Sequence, residues 1–566
     1  MTGSYVIPVE DSNTIPRHLA AQAERHGSKA FVNFPRENRS ISYQGLLATS
    51  EAASTRLLET FRVEPGSTAA ILLGNGPAFI EAWFACLFAG IVDVPVNHEL
   101  RKSTLLFALE TTAARTVFTD MDGLSLLLDP ELATFTARIR LLVLAESDKT
   151  IATIRADRRL PPSLSLVGLA ELCAAGPAGK AWTTLRASAL TSIRYTSGTT
   201  GNPKGIMHTH LHMLAKSAVQ NGILEFSQSD VLYSPFPLHH NLSSINGLIG
   251  ALQVGGTMIS AERFSASRYW PEIRETGATI GHILQPMMPI LLNQSPSADD
   301  RRHKIRYLWT TPRREDFCAR FAVDVVNSYS LSEVGTIAFR REGGIEGSTA
   351  TGVPIGEMEV CIADELDRPL PAGSDGEILI RTRDPYRMLL GYYNDLPATM
   401  RAFRNLWYHT GDRGLIDAEG QLHFLGRMGD TIRRRGVNIS SEQLTAEISR
   451  YPGVELCAVI GVPSELGDEE ILAVVVLKPQ APALDVAVPA IVAFLVDRLP
   501  RDQVPRYIEF ATSLPLTDTG KVKVADVRRQ PRGGPVWDRT IGAWTTQFAA
   551  RGLFDVLEDR PDEAAS

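Results

Sequence analysis

The chain has 566 residues, well beyond the ~100–200 of a single domain, so two or more compact bodies are expected. Apolar residues make up 44% and charged residues 21%, which excludes a disordered or fibrous chain. With 57 Lys and Arg against 64 Asp and Glu, the net charge of -7 excludes a global basic field for nucleic acid or an anionic membrane.

No apolar run approaches the length of a membrane span, and even Phe84–Val96 is interrupted by Gly90 and Asp93. The opening Met1-Thr-Gly-Ser-Tyr-Val-Ile-Pro8 lacks the basic start and apolar stretch of a secretory signal. Five cysteines (Cys86, Cys173, Cys318, Cys361, Cys457) are widely separated and form no Cys-x-x-Cys. They suit a reducing compartment and argue against a disulfide framework or a zinc cluster, so a cytoplasmic protein is expected.

The elements mix helical and strand signals, which indicates an α/β architecture. A helix is predicted over Arg17–Glu24, just after Pro16, and another from about Tyr43 to Leu58. Ala69–Leu73 and Val92–Val96 are short apolar runs with the look of buried strands. The pattern recurs at Val231–Ser234 with Gly247–Leu252, and at Thr279–Leu284 before the Pro-interrupted segment near Met287. After Gly352 the texture changes to short strands between Gly and Pro turns, at Glu357–Ile362, Glu377–Arg381 and Gln421–Leu425. A boundary is placed near Arg427–Asp430. Beyond it, Ser440–Tyr451, Val454–Val462, Glu470–Leu477 and the helix Val488–Leu499 make a smaller unit. The end is Gly-Pro-rich from Pro531 and then acidic, as in a solvated tail. The domains are therefore 1–426, 427–530 and a 531–566 extension.

The most informative segment is Tyr195-Thr-Ser-Gly-Thr-Thr-Gly-Asn-Pro-Lys-Gly205, preceded by the strand-like Thr191–Tyr195. Gly198 and Gly201 let backbone N–H groups approach an anion, Thr196, Ser197, Thr199 and Thr200 add hydroxyl donors, and Lys204 adds a mobile charge. Such a loop suits polyphosphate. It is not the Walker pattern, because the chain runs on to Asn202-Pro203 rather than to Gly-Lys-Ser/Thr.

This loop resembles the signature of the adenylate-forming superfamily, which comprises acyl-CoA synthetases, firefly-luciferase-like enzymes and peptide-synthetase adenylation domains. Further motifs follow in the family's order. Asn327-Ser-Tyr-Ser-Leu-Ser-Glu333 resembles its Tyr-Gly-x-Thr-Glu segment. The resemblance implies that Tyr329 stacks on adenine, Asn327 meets its edge, Ser332 binds the α-phosphate and Glu333 holds Mg²⁺. Tyr408-His-Thr-Gly-Asp412 and Gly426-Arg427 resemble the motifs whose Asp and Arg engage the ribose hydroxyls. Pro515-Leu-Thr-Asp-Thr-Gly-Lys521 resembles the segment whose lysine bridges the attacking carboxylate and the α-phosphate. Thr196, Ser332, Glu333 and Lys521 are thereby the candidate catalytic residues.

Pro237-Leu-His-His240 places His240 at the wall between acyl pocket and nucleotide, on the same resemblance. No Asp stands between Pro235 and Gly247, which favours an acid without an α-amino group. The adjacent His239-His240 and the alternating His208, His210 and His212 lack acidic or thiolate partners, so no zinc site is expected. Arg427–Ile439 most resembles carnitine/crotonobetaine-type and medium-chain acyl-CoA ligases. Gly429 occupies the usual hinge Asp, and Gly436 matches the glycine beside the pantetheine channel. Arg433-Arg-Arg435 reads as a solvated face or as an attractor of CoA phosphates or pyrophosphate. Ile283–Leu292 serves either as part of the acyl pocket or as packed core.

The resemblance implies a large N-terminal body of helix-flanked sheets with a small β-rich subdomain, and a smaller mobile α+β C-terminal domain. It implies ATP, Mg²⁺ and coenzyme A as co-reactants, while the charge balance and the lack of a long apolar run predict no nucleic acid and no membrane span. The expected reaction is conversion of a small carboxylic acid to acyl-AMP, then to its CoA thioester. The alternatives are delivery of the adenylate to a carrier-protein thiol or separate partner, and a degenerate nucleotide-binding regulator.

Overall fold

The computed structural model describes residues 7–97, 102–155, 159–195, 204–284, 287–310, 313–341, 350–428, 431–434, 437–464, 469–499, 503–517, 520–530 and 534–545. The chain divides into two compact units. In the main, the first comprises residues up to 359 with 381–402, and the second comprises 360–380 with the chain from 403 onward.

Two sheets build the first unit. One has the strand order Ser165–Gly168, Leu141–Leu144, Thr116–Thr119, Thr68–Leu72, Val92–Pro95, Leu190–Tyr195, Gly205–Thr209, parallel except for its last pair. Thr116–Thr119 and the wholly apolar Leu141–Leu144 are buried at every position, as strands are when both faces of a parallel sheet are covered. The other runs Ala350–Pro354, Gly335–Arg340, Asp324–Leu331, Tyr307–Thr310, Ile280–His282, Val231–Ser234, Thr257–Ser260, Ala30–Phe34, Arg39–Ser42. Its middle is parallel and both ends are antiparallel.

The interrupted apolar run noted in the sequence is a helix and a strand. Pro77–Ala89 buries 11 of its 13 residues, the signature of a core helix apolar on every side. The predicted helices occur at Ile15–His26 and Tyr43–Thr55. Ser42 caps the second, its hydroxyl accepting from Gly45 N at 3.0 Å. Gly247–Leu252 is helical, lying in a π-helical run Leu242–Ile249 that continues as Gly250–Val254. A short apolar run reads alike as buried strand or buried helix, and only packing decides.

The second unit has a β-rich part with strand order Met358–Ala363, Gly376–Thr382, Tyr408–Ile416, Leu422–Arg427. A hairpin, Thr431–Arg434 with Val437–Ser440, precedes the helix Ser441–Ile448. A five-stranded sheet follows, in the order Val454–Pro463, Glu469–Leu477, Tyr507–Phe510, Val536–Asp538, Ala543–Thr545. Its last two strands come from the extension after Pro531. Val536 is buried, and Asp538 takes an ion pair from Arg506 at 3.3 Å. Residues 534–545 are thus part of a sheet, while the acidic end of the chain lies outside the described residues.

Two tests follow from these contacts. Removing residues 531–566 uncovers the Tyr507–Phe510 edge and the Val536 packing site. The cost is roughly 2–4 kcal/mol from lost apolar burial and the Arg506 hydrogen bonds, read as a lowered unfolding midpoint of the second unit.

The second test concerns pH. His208, His210, His212 and His282 are fully buried, and desolvation lowers all four, His210 and His282 to about 3. The unfolded chain takes up protons below about 6.5 that the folded chain refuses, so their contribution is complete above 6.5 and is lost as pH falls toward 3. Asp93, raised by burial to about 6, acts in the opposite sense between 3.8 and 6. Urea midpoints are therefore expected to fall from pH 7 to pH 5, and His282→Gln is expected to flatten that fall.

Candidate active site

The arms of the polyphosphate-type loop, Leu190–Tyr195 and Gly205–Thr209, form an antiparallel pair. Thr196, Ser197, Gly198, Thr199, Thr200 and Gly201 lie outside the described residues. A third segment joins the free edge: Met207 N donates to Gly391 O at 3.1 Å, Leu390 N to Met207 O at 3.0 Å and Tyr393 N to Gly205 O at 2.8 Å. That pairing places Tyr392 beneath Lys204, whose ammonium lies 5.2 Å from the ring centroid. The Tyr392 hydroxyl donates to Glu333 Oε1 at 3.2 Å. Lys204 and Glu333, which are 129 residues apart in sequence, thus engage the same side chain.

Asn327 and Tyr329 sit on the strand Asp324–Leu331, paired antiparallel with Gly335–Arg340 and bulged between Tyr329 and Ser330. The bulge re-aims the side chains that follow. Asn327 Nδ2 donates to Ala350 O at 3.3 Å, and Tyr329 is buried. Ser332 and Glu333 occupy the turn between the strands, where Leu389 N donates to Glu333 O at 2.8 Å. Beneath the turn, Lys216 Nζ donates to Ser332 O at 2.7 Å. Gly335, which closes the turn, has φ +106, and a Cβ there would lie 2.9 Å from Lys216 Cγ. Burial pushes the Lys216 ammonium down to about 7, against the attraction of Glu333.

His240 ends a tight turn, with its backbone N donating to Pro237 O at 3.0 Å and its Nδ1 accepting from Leu242 N at 3.3 Å. Arg194 holds that turn from within the sheet. Its Nη1 donates to Ser244 Oγ at 2.9 Å and to His239 O at 3.2 Å, and its guanidinium lies 4.9 Å over Trp83. Asp93 lies 3.8 Å from Arg194 and accepts from Ser192 Oγ at 2.7 Å. Both charges are buried. Desolvation raises Asp93 to about 6 and lowers Arg194 to about 10.

In the second unit, Asp412 and Arg427 are cross-strand partners, and Arg427 Nε lies 2.9 Å from Asp412 Oδ1. Thr410 fixes the bend: its hydroxyl donates to Ile378 O at 2.7 Å and accepts from Asp412 N at 3.0 Å. Glu377 Oε1 accepts from Gly411 N at 3.0 Å, and Arg427 Nη1 donates to Thr410 O at 3.1 Å. The Asp-Arg pair inferred from two separate motifs is thus brought together. Gly426 has φ +118, and a Cβ there would meet Ser440 Oγ at 2.9 Å.

Lys521 stands on a tight turn of the same unit. Thr517 N donates to Lys521 O at 2.7 Å, Lys521 N to Thr517 Oγ1 at 3.0 Å, and the side chain is exposed. Gly429 and Gly436 lie outside the described residues.

The structure bears on two of the open readings, on the first at Arg434 alone, since the side chains of Arg433 and Arg435 lie outside the described residues. Arg434 is neither solvated nor available to an anion: its side chain is 6% exposed and its Nε lies 2.8 Å from Glu470 Oε2. A guanidinium carried into a sheet interior needs a carboxylate beside it. Ile283, Met287, Met288 and Leu291 belong to the core cluster containing Tyr233, Trp270 and Phe317, which favours core over pocket. No group of three or more His, Cys, Asp or Glu side chains among the described residues has the arrangement of a metal site. His208 and His212 stack with their Nδ1 atoms 3.0 Å apart, two buried rings that desolvation holds neutral and that hydrogen-bond to each other.

The family described as "AMP-binding enzyme" matches residues 19–393, and its "AMP-binding enzyme C-terminal domain" matches residues 446–521. The chain belongs to the AMP-binding enzyme family. It is 29% identical over 484 residues to a crotonobetaine/carnitine–CoA ligase of Shigella sonnei, spanning 83% of this chain and 89% of that protein. Its fold is shared with a crystal structure of the anthranilate CoA ligase AuaEII bound to anthranoyl-AMP (TM-score 0.78, 22% identity, 92% of this chain and 97% of that one). It is also shared with a benzoate CoA ligase of Burkholderia xenovorans (TM-score 0.76, 24% identity, 91% and 99%).

Four contributors escaped the sequence reading: Tyr392, Lys216, Arg194 and Glu377. Each acts through a partner more than thirty residues away, and no local spacing marks it. Only the Gly391-Tyr-Tyr393 run offered a signal, an aromatic pair after a turn residue. The Asp412–Arg427 geometry gives a direct test. Asp412→Ala is expected to weaken AMP binding about tenfold to a hundredfold, the worth of hydrogen bonds to a charged acceptor, in a calorimetric titration.

Proposed function

We propose that this chain is an ATP-dependent acid–thiol ligase that converts a carboxylic acid to acyl-AMP and then to its CoA thioester. The observation that carries this reading is the convergence of Lys204 and Glu333 on Tyr392. A cation at the foot of a phosphate loop and a carboxylate suited to a hard divalent cation together serve the polyphosphate end of Mg·ATP.

A carboxylate is a poor electrophile because oxide is a poor leaving group. In the first step a carboxylate oxygen attacks the α-phosphorus, the bond to the bridging oxygen breaks, and pyrophosphate leaves. Ser332 and the Thr196–Thr200 hydroxyls bind the phosphates, Lys204 offsets their charge, and Tyr329 with Asn327 holds the adenine. Asp412 accepts from the ribose hydroxyls, with Arg427 fixing its orientation. Lys521 neutralises charge building between the carboxylate and the α-phosphate. Glu333 fits Mg²⁺ by the chemistry of its oxygen ligands, and the ion would supply charge neutralisation on the polyphosphate. In the second step the CoA thiol, losing its proton, adds to the acyl carbonyl and AMP departs. No covalent enzyme intermediate is needed, since positioning and charge stabilisation suffice.

The finer assignments rest on the same reading. The substrate is a small acid without an α-amino group, supported by the lack of an Asp between Pro235 and Gly247. His240, held by its turn, walls the acyl site. Residues 427–530 act as a lid hinged at Gly429, with Gly436 beside the pantetheine path. A cytosolic location is supported by the five free thiols.

Acid-dependent exchange of labelled pyrophosphate into ATP across an acid panel is expected to identify a substrate; no exchange with any acid sinks the proposal. Lys521→Ala is expected to cut that exchange by about a hundredfold or more while leaving thioester formation from supplied acyl-AMP. CoA thioester as final product, rather than stalled acyl-AMP awaiting a carrier protein, verifies the second step.

A further inference from the structure

Lys216 is a buried lysine that the two-step reaction above does not use. It lies in the helix His210–Leu224, which buries 13 of its 15 residues, and is itself 4% exposed. Among the described residues it makes no ion pair within 4 Å. Its ammonium instead meets the carbonyl of Ser332 at 2.7 Å. Taking an ammonium out of water without a paired carboxylate is costly, and a methionine would fill the same space without that cost. Packing alone therefore does not account for the charge.

The surroundings tie that charge to one turn. Glu333 follows the carbonyl that Lys216 holds, and its carboxylate attracts the ammonium. Gly335 leaves room for the lysine stem, since any Cβ there would press on Lys216 Cγ. The turn is also gripped by Leu389 N on Glu333 O and by the Tyr392 hydroxyl on Glu333 Oε1. Lys216 is the grip from the buried face. His212, one helical turn back, is fully buried and held neutral by desolvation, so it adds no competing charge.

We propose that Lys216 is a positioning residue for the Ser332–Glu333 turn, fixing its backbone from the buried side so that the Ser332 hydroxyl and the Glu333 carboxylate meet magnesium-bound ATP. This rests on the roles assigned to Ser332 and Glu333 above. Lys216 does not touch the nucleotide; it acts through the Ser332 carbonyl. Loss of the grip should therefore weaken what the turn binds and spare the adenosine half of the ligand.

The test is calorimetric and needs no acid substrate. Lys216→Met is expected to weaken Mg·ATP binding about tenfold or more, the worth of one charged hydrogen bond, with adenosine binding kept within about twofold. Lys216→Arg, which retains a cationic donor, is expected to recover a substantial part of the loss. Should Lys216→Met fail to fold, Lys216→Gln, uncharged and shorter, carries the same expectation. Unchanged Mg·ATP binding overturns the proposal. So does an equal loss for Mg·ATP and adenosine, which marks a merely structural role, or an Arg variant no better than Met. If the wild-type protein shows this pattern yet no acid supports pyrophosphate exchange, the ligase reading fails while Lys216 keeps its assignment. A wild-type protein that binds no Mg·ATP overturns both.

Discussion

The first unit of this protein turns on a strand pairing that no single motif contains. The edge of Gly205–Thr209 accepts the segment 389–393 through three backbone hydrogen bonds, across a separation of more than 180 residues. Buried backbone groups must be paired, so an edge strand beside a phosphate-type loop needs a partner that keeps it from fraying. The partner chosen here brings a tyrosine with it. Tyr392 then connects Lys204, on the loop, to Glu333, on a different sheet. The loop's base, the metal-type carboxylate and the Asn327–Glu333 segment are positioned together because one backbone register is satisfied.

A second constraint is the placing of charge inside a body of buried parallel strands. Asp93 and Arg194 lie on neighbouring strands, and each shifts toward its neutral form because burial penalises the charge more than the neighbour rewards it. What they hold in return is specific: Arg194 reaches the carbonyls of the Pro237–His240 turn and Ser244. Lys216 plays the corresponding part beneath Ser332. Arg434 with Glu470 does so within the second unit, where each charge would be untenable alone. In each of these places a buried charge fixes a backbone turn or a strand crossing that apolar packing, being non-directional, cannot specify.

Much of the chemistry was legible from local sequence. The glycines, hydroxyls and lysine of the loop are the residue types of an anion site, and the arm before it folds as the predicted strand, with Gly205–Thr209 returning antiparallel beside it. The Thr410-Gly-Asp412 and Gly426-Arg427 motifs pointed to the same ribose, and the register of their strands makes them direct neighbours. The failures share a cause. Arg434 reads as part of a solvated face or an anion attractor because it sits in a run of three arginines, and nothing local says that it faces Glu470. Gly247–Leu252 carries no period long enough to separate helix from strand, and the extension after Pro531 reads as running into a solvated tail although part of it completes a sheet.

The sequence by itself determined the class of architecture, the rough places of many strands and helices, and the residue types that can hold phosphate, ribose and a divalent cation. These are properties of spacing and side-chain chemistry within a few residues, which a linear chain displays directly. Only the tertiary structure decided which distant groups meet: Tyr392 with Glu333, Lys216 with Ser332, Arg194 with the turn of His240, and Glu377 with Gly411. Those meetings depend on sheet order and register, and on which charges can be buried together. A single hydrogen bond or ion pair leaves no periodic trace in sequence, because its two halves are selected by the cost of leaving either one unpaired in the interior.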